Sequence, residues 1–422
     1  MTQNLQKGML TVIHNSATIL QSTEHRAQST EHRAQSHNYS QKLRVLYVSH
    51  GRGLGGANLA LYNLMLDMRE RHGVIPSVLI PGREDFFEMC HESGIETFCT
   101  RFYDLTCSTN FRSKFKGFAK YLLNRICYPR VFSILKDANF DIVHTNSSVT
   151  DVGSLISERH SFPHVWHLRE FGIDDFHLDY YVSYSWMKSR YAKADAIITI
   201  SDSVYNSFVN ERKLCQADKT RMIYDGLRIP EPYTKTYMNT GILNFCISGM
   251  VSPAKNQVMA IKACSKLKAS TDKFMLHIVG TGKEKYKLEL QKLIASCGLD
   301  EHVKFWGWRD DVNNILKTMD VGLMLSRCEG FGRVTVEYML NYMPVIGVDT
   351  GATPEIVVDG ETGYICHLND TDKLAELMHR FITNPELIQA MGNKGRERAE
   401  QNYSLERNTD EIYALYQEIL SR

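Results

Sequence analysis

The chain has 422 residues, with 49 basic and 48 acidic side chains and a formal charge of +1 at neutral pH. Hydrophobic residues at 43% and charged residues at 23% lie near globular averages, which excludes a wholly disordered or fibrous chain. Balanced charge argues against general nucleic-acid binding, and no run approaches the roughly 18 apolar residues of a membrane-spanning helix.

Residues 1–40 differ from the rest. The heptapeptide Gln21-Ser-Thr-Glu-His-Arg-Ala27 is repeated at once as Gln28–Ala34. A polar heptad without an apolar seam cannot bury a core, so a disordered or frayed helical extension is expected. This stretch lacks the basic start and long apolar run of a secretory leader, Met9–Ile13 being too short. The ten cysteines are scattered, with no Cys-x-x-Cys pair, as in a reducing compartment. A cytoplasmic protein is expected.

The folded part is predicted to begin at Leu43. Leu43–Ser49 reads as a strand, Gly51–Gly56 as a glycine-rich turn and Ala57–Arg69 as a helix. Short apolar runs follow at 77–80, 141–144, 164–167 and 196–200, alternating with helical stretches as in βα units on a parallel sheet. Residues 225–242 hold two prolines and no periodicity, and read as a linker. A second series then predicts strands at 243–248, 274–279, 303–306, 321–326 and 345–348. Helices between them are expected at 256–268, 283–296, 312–317 and 335–342. Asp372–Leu420 reads as helical, broken near Asn384-Pro385. The fold class is therefore α/β, with two doubly wound parallel-sheet domains and a ligand cleft beyond the strand ends.

Three motifs lie at strand-to-helix junctions. Gly51-Arg-Gly-Leu-Gly-Gly56 fits a phosphate-binding glycine loop. A dinucleotide site would also want an acidic residue about 20 positions on, whereas Ser77–Ile80 runs into Pro81-Gly82 and Glu84 follows only after the turn. In the second half, Ser326-Arg-Cys-Glu329-Gly-Phe-Gly-Arg-Val-Thr-Val-Glu337 presents backbone N–H groups to an anion at a helix start. The two carboxylates beside that anion site need hydroxyl groups from which to accept, and sugar hydroxyls would supply them. Gly249-Met-Val-Ser-Pro-Ala-Lys255 offers a cation for a leaving group.

Together these motifs resemble family 4 of the retaining, nucleotide-sugar-dependent glycosyltransferases with the GT-B fold. The resemblance covers roughly residues 43–420 and is strongest over 245–366. Glu329 and Glu337 match the family's paired glutamates, Thr350–Val357 and Asp359–Tyr364 the segment after them, and Trp306–Asp311 a loop near the nucleotide base. The resemblance implies that Glu329 holds donor-sugar hydroxyls and Glu337 the ribose. Lys255 and the backbone of Phe331, Gly332 and Arg333 would neutralise the diphosphate, with Gly55 and Gly56 closing from the other domain and Trp308 near the base. His167, in Val165-Trp-His-Leu-Arg-Glu170, falls where the family has a histidine near the reacting sugar, with His144 and His164 as neighbouring competitors. One departure is clear: Met250 stands where the family usually has an arginine, which removes one of two cations from the leaving group.

The expected organisation is an extension (1–40), a Rossmann-like acceptor domain (41–226) and a linker (227–241). A Rossmann-like donor domain (242–400) and a terminal helix (401–422) that packs back on the first domain complete it. Expected partners are a nucleoside-diphosphate sugar and a saccharide or lipid-linked acceptor, in the making of cell-surface polysaccharide or glycolipid. No cofactor and no metal are expected: Asp370-Thr-Asp372 reads as a helix cap, and His164-x-x-His167 lacks a third ligand. Residues 105–136 carry seven lysines and arginines, no acid and interleaved aromatics, the pattern of a face that meets anionic lipid. A peripheral position on the inner face of the membrane is expected from it. Two other readings are a non-catalytic transferase-like partner subunit, suggested by Met250, and an NAD(P)-linked oxidoreductase using Gly51–Gly56, which leaves the second domain's motifs unused.

Overall fold

The computed structural model describes residues 42–108, 111–172, 178–237 and 241–422. The repeated heptapeptide and the rest of the expected extension lie outside them.

The first half contributes β1 (Arg44–Val48), β2 (Ile75–Ile80), β3 (Glu96–Cys99), β4 (Thr106–Ser108), β5 (Ile142–Thr145), β6 (His164–Leu168), β7 (Leu178–Tyr180), β8 (Ala196–Thr199) and β9 (Thr220–Met222). Seven of these form a parallel sheet in the order β3-β2-β1-β5-β6-β8-β9, and β4 pairs antiparallel with β7. The second half contributes β10 (Leu243–Ser248), β11 (Phe274–Val279), β12 (Val303–Gly307), β13 (Val321–Met324), β14 (Val345–Val348) and β15 (Gly363–Cys366). They form a six-stranded parallel sheet in the order β12-β11-β10-β13-β14-β15. Both sheets are doubly wound, and in each the strand order reverses beside the first strand, where such sheets bind ligands beyond the strands' carboxyl ends. The expected fold class is met.

Four helices matter to the site and its surroundings. These are α1 (Gly56–His72), α2 (Phe111–Ile134), α3 (Arg333–Leu340) and α4 (Leu405–Leu420). The terminal stretch is broken twice, at Asn384-Pro385 and again at Tyr403-Ser404. The second break has no proline or glycine to announce it. Ser404 makes it by capping α4, its hydroxyl accepting from the Arg407 amide at 3.2 Å.

That turn sends α4 back across the first domain. Ile412, Leu415, Tyr416 and Ile419 are buried with Val45, Tyr47, Leu61 and Leu64, and Asp410 binds Arg71 at 2.6 Å and His72 at 2.8 Å. Leu227, at the head of the linker, exchanges two main-chain bonds of 2.9 Å with Tyr403 and Leu405. One apolar cluster runs through both domains, holding Trp166, Ile197 and Phe208 from the first and Phe331, Val336 and Tyr338 from the second. Burial of a shared core of this kind sets the two strand-end surfaces against each other.

Candidate functional site

Each side chain of the site is fixed by a loop at a strand end. After β10, Ser252 leads into the turn Pro253–Lys255, and Asn256 follows in the left-handed region at φ 56° before the next helix. The Arg327 amide donates to the Ala254 carbonyl at 2.9 Å, drawing the turn against the segment that leaves β13. The Lys255 ammonium therefore meets the Glu329 carboxylate in an ion pair.

Glu329 is held from its other side by the Thr350–Val357 segment. The Ala352 amide donates to the Glu329 carbonyl at 3.0 Å. Gly351, at φ 54°, lies so close that a Cβ there would stand 2.3 Å from the Glu329 carbonyl oxygen, so only glycine fits. Phe331 then anchors the loop in the shared core, its ring centroid 6.0 Å from Tyr224 and 5.6 Å from Tyr403. With Phe331 buried and Gly332 at φ 81°, the chain turns into α3, whose first amides lack intrahelical acceptors.

Arg333 opens α3 and faces the first domain: its Cδ lies 3.8 Å from the Cβ position of Gly56, and its Nη1 donates to the Gly226 carbonyl at 3.3 Å. Glu337 follows one turn later, with no hydrogen bond or ion pair to its carboxylate among the described residues. Burial raises its pKa above the usual glutamate range, opposed by the Arg333 charge. Both side chains line a cavity of about 380 Å³ that also takes in Asn63 of α1 and linker residues Leu227–Pro230.

In the first domain, the Ser49 hydroxyl donates to Asn58 Oδ1 at 2.7 Å, and Asn58 Nδ2 donates to the Gly53 carbonyl at 2.8 Å. This pins the glycine loop. The Gly55 carbonyl accepts from the Asn58 and Leu59 amides at 3.0 Å as α1 begins. No atom stands within 4 Å of a Cβ built on Gly55, so nothing inside the chain requires glycine there. The close approach of the two domains falls instead at Gly330, where a Cβ would lie 2.7 Å from the Arg169 carbonyl oxygen.

His167 is fully buried on β6. Its Nδ1 stands 3.1 Å from His144 Nε2 and 3.4 Å from Arg169 Nη2, and His144 Nδ1 stands 2.6 Å from the Tyr416 hydroxyl. Arginine can only donate, so His167 Nδ1 is the acceptor and His144 Nε2 carries its proton. His144 Nδ1 then accepts from Tyr416, and His167 bears its own proton on Nε2, a buried atom with no partner among the described residues. Burial first, and the Arg169 charge second, hold both histidines well below the ordinary histidine pKa.

Thus Lys255 meets Glu329, Gly56 meets Arg333, and Arg333 shares a cavity with Glu337. Trp308 is 69% exposed and does not line that cavity. Its neighbour Trp306 is half-buried, donating from Nε1 to His277 Nδ1 at 3.1 Å. Met250 is 65% exposed.

The sequence reading assigned no role to three further groups. Arg169 forms a buried ion pair with Asp225 and also donates to Asn146. Glu170 accepts from the Ser148 amide at 2.6 Å and its hydroxyl at 2.8 Å. Glu355 reaches across the domains to accept from the Asp202 and Ser203 amides at 2.9 and 2.7 Å. Two of these charges stand directly after a buried strand, which was the signal available; the reach of Glu355 had none.

Two doubly wound domains, joined through a shared core and facing each other across charged strand-end loops, make the GT-B architecture of glycosyltransferases. The family model for glycosyl transferases group 1 matches residues 239–398, and that for glycosyltransferase family 4 matches residues 54–229. The chain belongs to the family 4 type of glycosyltransferases. It is 28% identical over 269 residues to N-acetyl-alpha-D-glucosaminyl L-malate synthase of Bacillus anthracis, a match that covers 64% of this chain and 66% of that one. An uncharacterised glycosyltransferase of Methanocaldococcus jannaschii is 27% identical over 316 residues, covering 72% and 82%. Among solved structures, HepE of Anabaena with UDP and glucose superposes with a TM-score of 0.71 at 21% identity, over 89% of this chain and 99% of that chain.

Proposed function

We propose that the chain transfers a sugar from a nucleoside-diphosphate sugar to an acceptor hydroxyl, with retention of anomeric configuration, in the assembly of a cell-surface polysaccharide or glycolipid. The observation that carries this reading is the set of cations and carboxylates around the start of α3: Lys255 in an ion pair with Glu329, and Arg333 lining one cavity with Glu337. As the glycosidic C–O bond breaks, negative charge develops on the departing diphosphate. Lys255, Arg333 and the free amides at the head of α3 stabilise that charge. Glu329 accepts from the sugar hydroxyls and Glu337 from the ribose hydroxyls. The absence of any internal reason for glycine at Gly55 fits backbone that a diphosphate approaches closely. His167 keeps an Nε2 proton without a partner among the described residues, and this reading assigns that proton to the reacting sugar. No metal is needed in this scheme because the two cations and the helix terminus supply the positive charge.

The donor base is settled by a thermal-shift panel with UDP, GDP, ADP, NAD and NADP. A ligand at about 100 times its Kd adds about 2.7 kcal/mol of stability. The Anabaena structures hold UDP and UDP-glucose, and a Corynebacterium glutamicum relative, 34% identical over 170 residues, is named as GDP-mannose-dependent; these two bases lead the panel. A shift with one nucleoside diphosphate, followed by turnover of its sugar, is the expected result. A shift with NAD or NADP alone sinks the reading.

Met250 favours a second reading, a nucleotide-binding partner subunit without turnover. That reading expects the same shift but no sugar transfer, whereas the transferase reading expects Met250→Arg to raise kcat.

A further inference from the structure

We propose that the outer face of α2 docks in the plane of an anionic lipid surface, an inference that deepens the proposed function by placing the acceptor there. A helix on a domain surface normally turns its apolar stripe inward, and α2 does the reverse. Val131 near its end enters the core, but over the preceding turns the inner side is small and polar. A Cβ on Gly117 would stand 2.6 Å from Tyr181, and Asn124 exchanges bonds of 2.8 and 2.9 Å with the Tyr103 main chain. The opposite side carries Phe118 (62% exposed), Leu122 (46%) and Ile126 (74%) at four-residue spacing, with Leu123 (41%) alongside.

Exposed apolar side chains grouped in this way mark a contact surface. Charge selects what covers it. Lys116, Arg125 and Arg130 are exposed beside the stripe, and no acidic residue occurs from 105 to 136. A second copy of the chain would set basic face against basic face. A bilayer with anionic headgroups accepts both components at once, the side chains entering the acyl boundary while the cations remain among phosphates. No helix among the described residues is long and apolar enough to cross a membrane, so the contact lies in the interfacial plane.

The test is co-sedimentation of the full chain with vesicles of phosphatidylcholine alone, and with about a third phosphatidylglycerol. The expected result is binding to the anionic vesicles that weakens about tenfold or more near 1 M salt, where the Debye length falls to about 3 Å. The double variant Phe118→Glu/Ile126→Glu should lose about tenfold or more in vesicle binding, with helix content and the nucleotide-induced thermal shift unchanged. Equal binding to neutral vesicles overturns the proposal. So does a double variant that still binds, or a dimer in sedimentation velocity that the double variant dissolves. A chain that answers to a nucleotide but not to vesicles refutes docking alone; one that answers to vesicles but to no nucleotide refutes the donor site alone.

Discussion

The two domains share a strand order but use their charged residues in opposite ways. In the first, His144, His167, Arg169 and Asp225 are sealed from solvent and bonded to one another. In the second, Lys255 and Glu329 are partly exposed, and Glu337 keeps an unpartnered carboxylate among the described residues, beside a cavity. A sealed network gives up its desolvation energy once, during folding, and cannot be rearranged cheaply by a ligand. A half-open set of charges can exchange its partners for those of an incoming diphosphate sugar. The first domain is thus built to hold a fixed orientation, and the second to bind.

Breaking the sealed network should have the largest effect. Asp225→Ala leaves the Arg169 guanidinium buried without its counter-ion and should cost about 3–5 kcal/mol of stability, read as a fall in the denaturant midpoint. Replacing both partners with apolar residues should recover much of that loss.

Acid attacks the same domain. His144 and His167 lie well below the ordinary value, and His164 is lowered to about 3 by burial. Above the unfolded histidine pKa of about 6.5 both states are neutral, and stability is unaffected. Below it the unfolded chain takes up protons that the folded chain refuses, so stability falls as pH drops from about 6.5 towards the folded values. Each such histidine costs about 1.4 kcal/mol by pH 5.5. Equal melting temperatures at pH 7 and pH 5.5 would contradict the burial of these rings.

The open set is probed by Glu337→Gln. Exchanging the charged carboxylate for an amide, which keeps a single acceptor oxygen, should lower kcat/KM for the sugar donor about a hundredfold, or about 2.7 kcal/mol, while the melting temperature holds. A variant at full activity removes Glu337 from the site. Tyr416→Phe joins the two regions more gently, at about 1 kcal/mol for one buried hydrogen bond. It frees His144 to change tautomer, so the ring-nitrogen NMR shifts of His144 and His167 should move together; a packing role alone would leave them in place. The smallest effect is expected from EDTA, which should leave sugar transfer unchanged if Lys255 and Arg333 supply the positive charge.

Much of this architecture is legible in the sequence. The strands at 243–248, 274–279 and 345–348 are legible to the residue, because each is an apolar run buried in a parallel sheet. The half-exposed β3 and the three-residue β4, β7 and β9 carry no comparable signal and are not legible. The loops bearing Gly56, Lys255, Glu329 and Arg333 were legible from glycines and charges at strand-to-helix junctions, where backbone chemistry is local.

Individual side-chain contacts between residues distant in sequence are not legible. The return of α4 onto the first domain is expected from the sequence, but not that it brings the Tyr416 hydroxyl to His144 and so fixes the ring bonded to His167. The placement of Trp308 outside the cavity and the reach of Glu355 to Asp202 and Ser203 depend on how two separately folded sheets meet. The sequence by itself determined the two sheets, the junction loops and their charges, since periodicity and turn chemistry act over a few residues. The tertiary structure alone decided which charges are sealed and which face the cavity, because burial depends on side chains brought together from positions hundreds of residues apart.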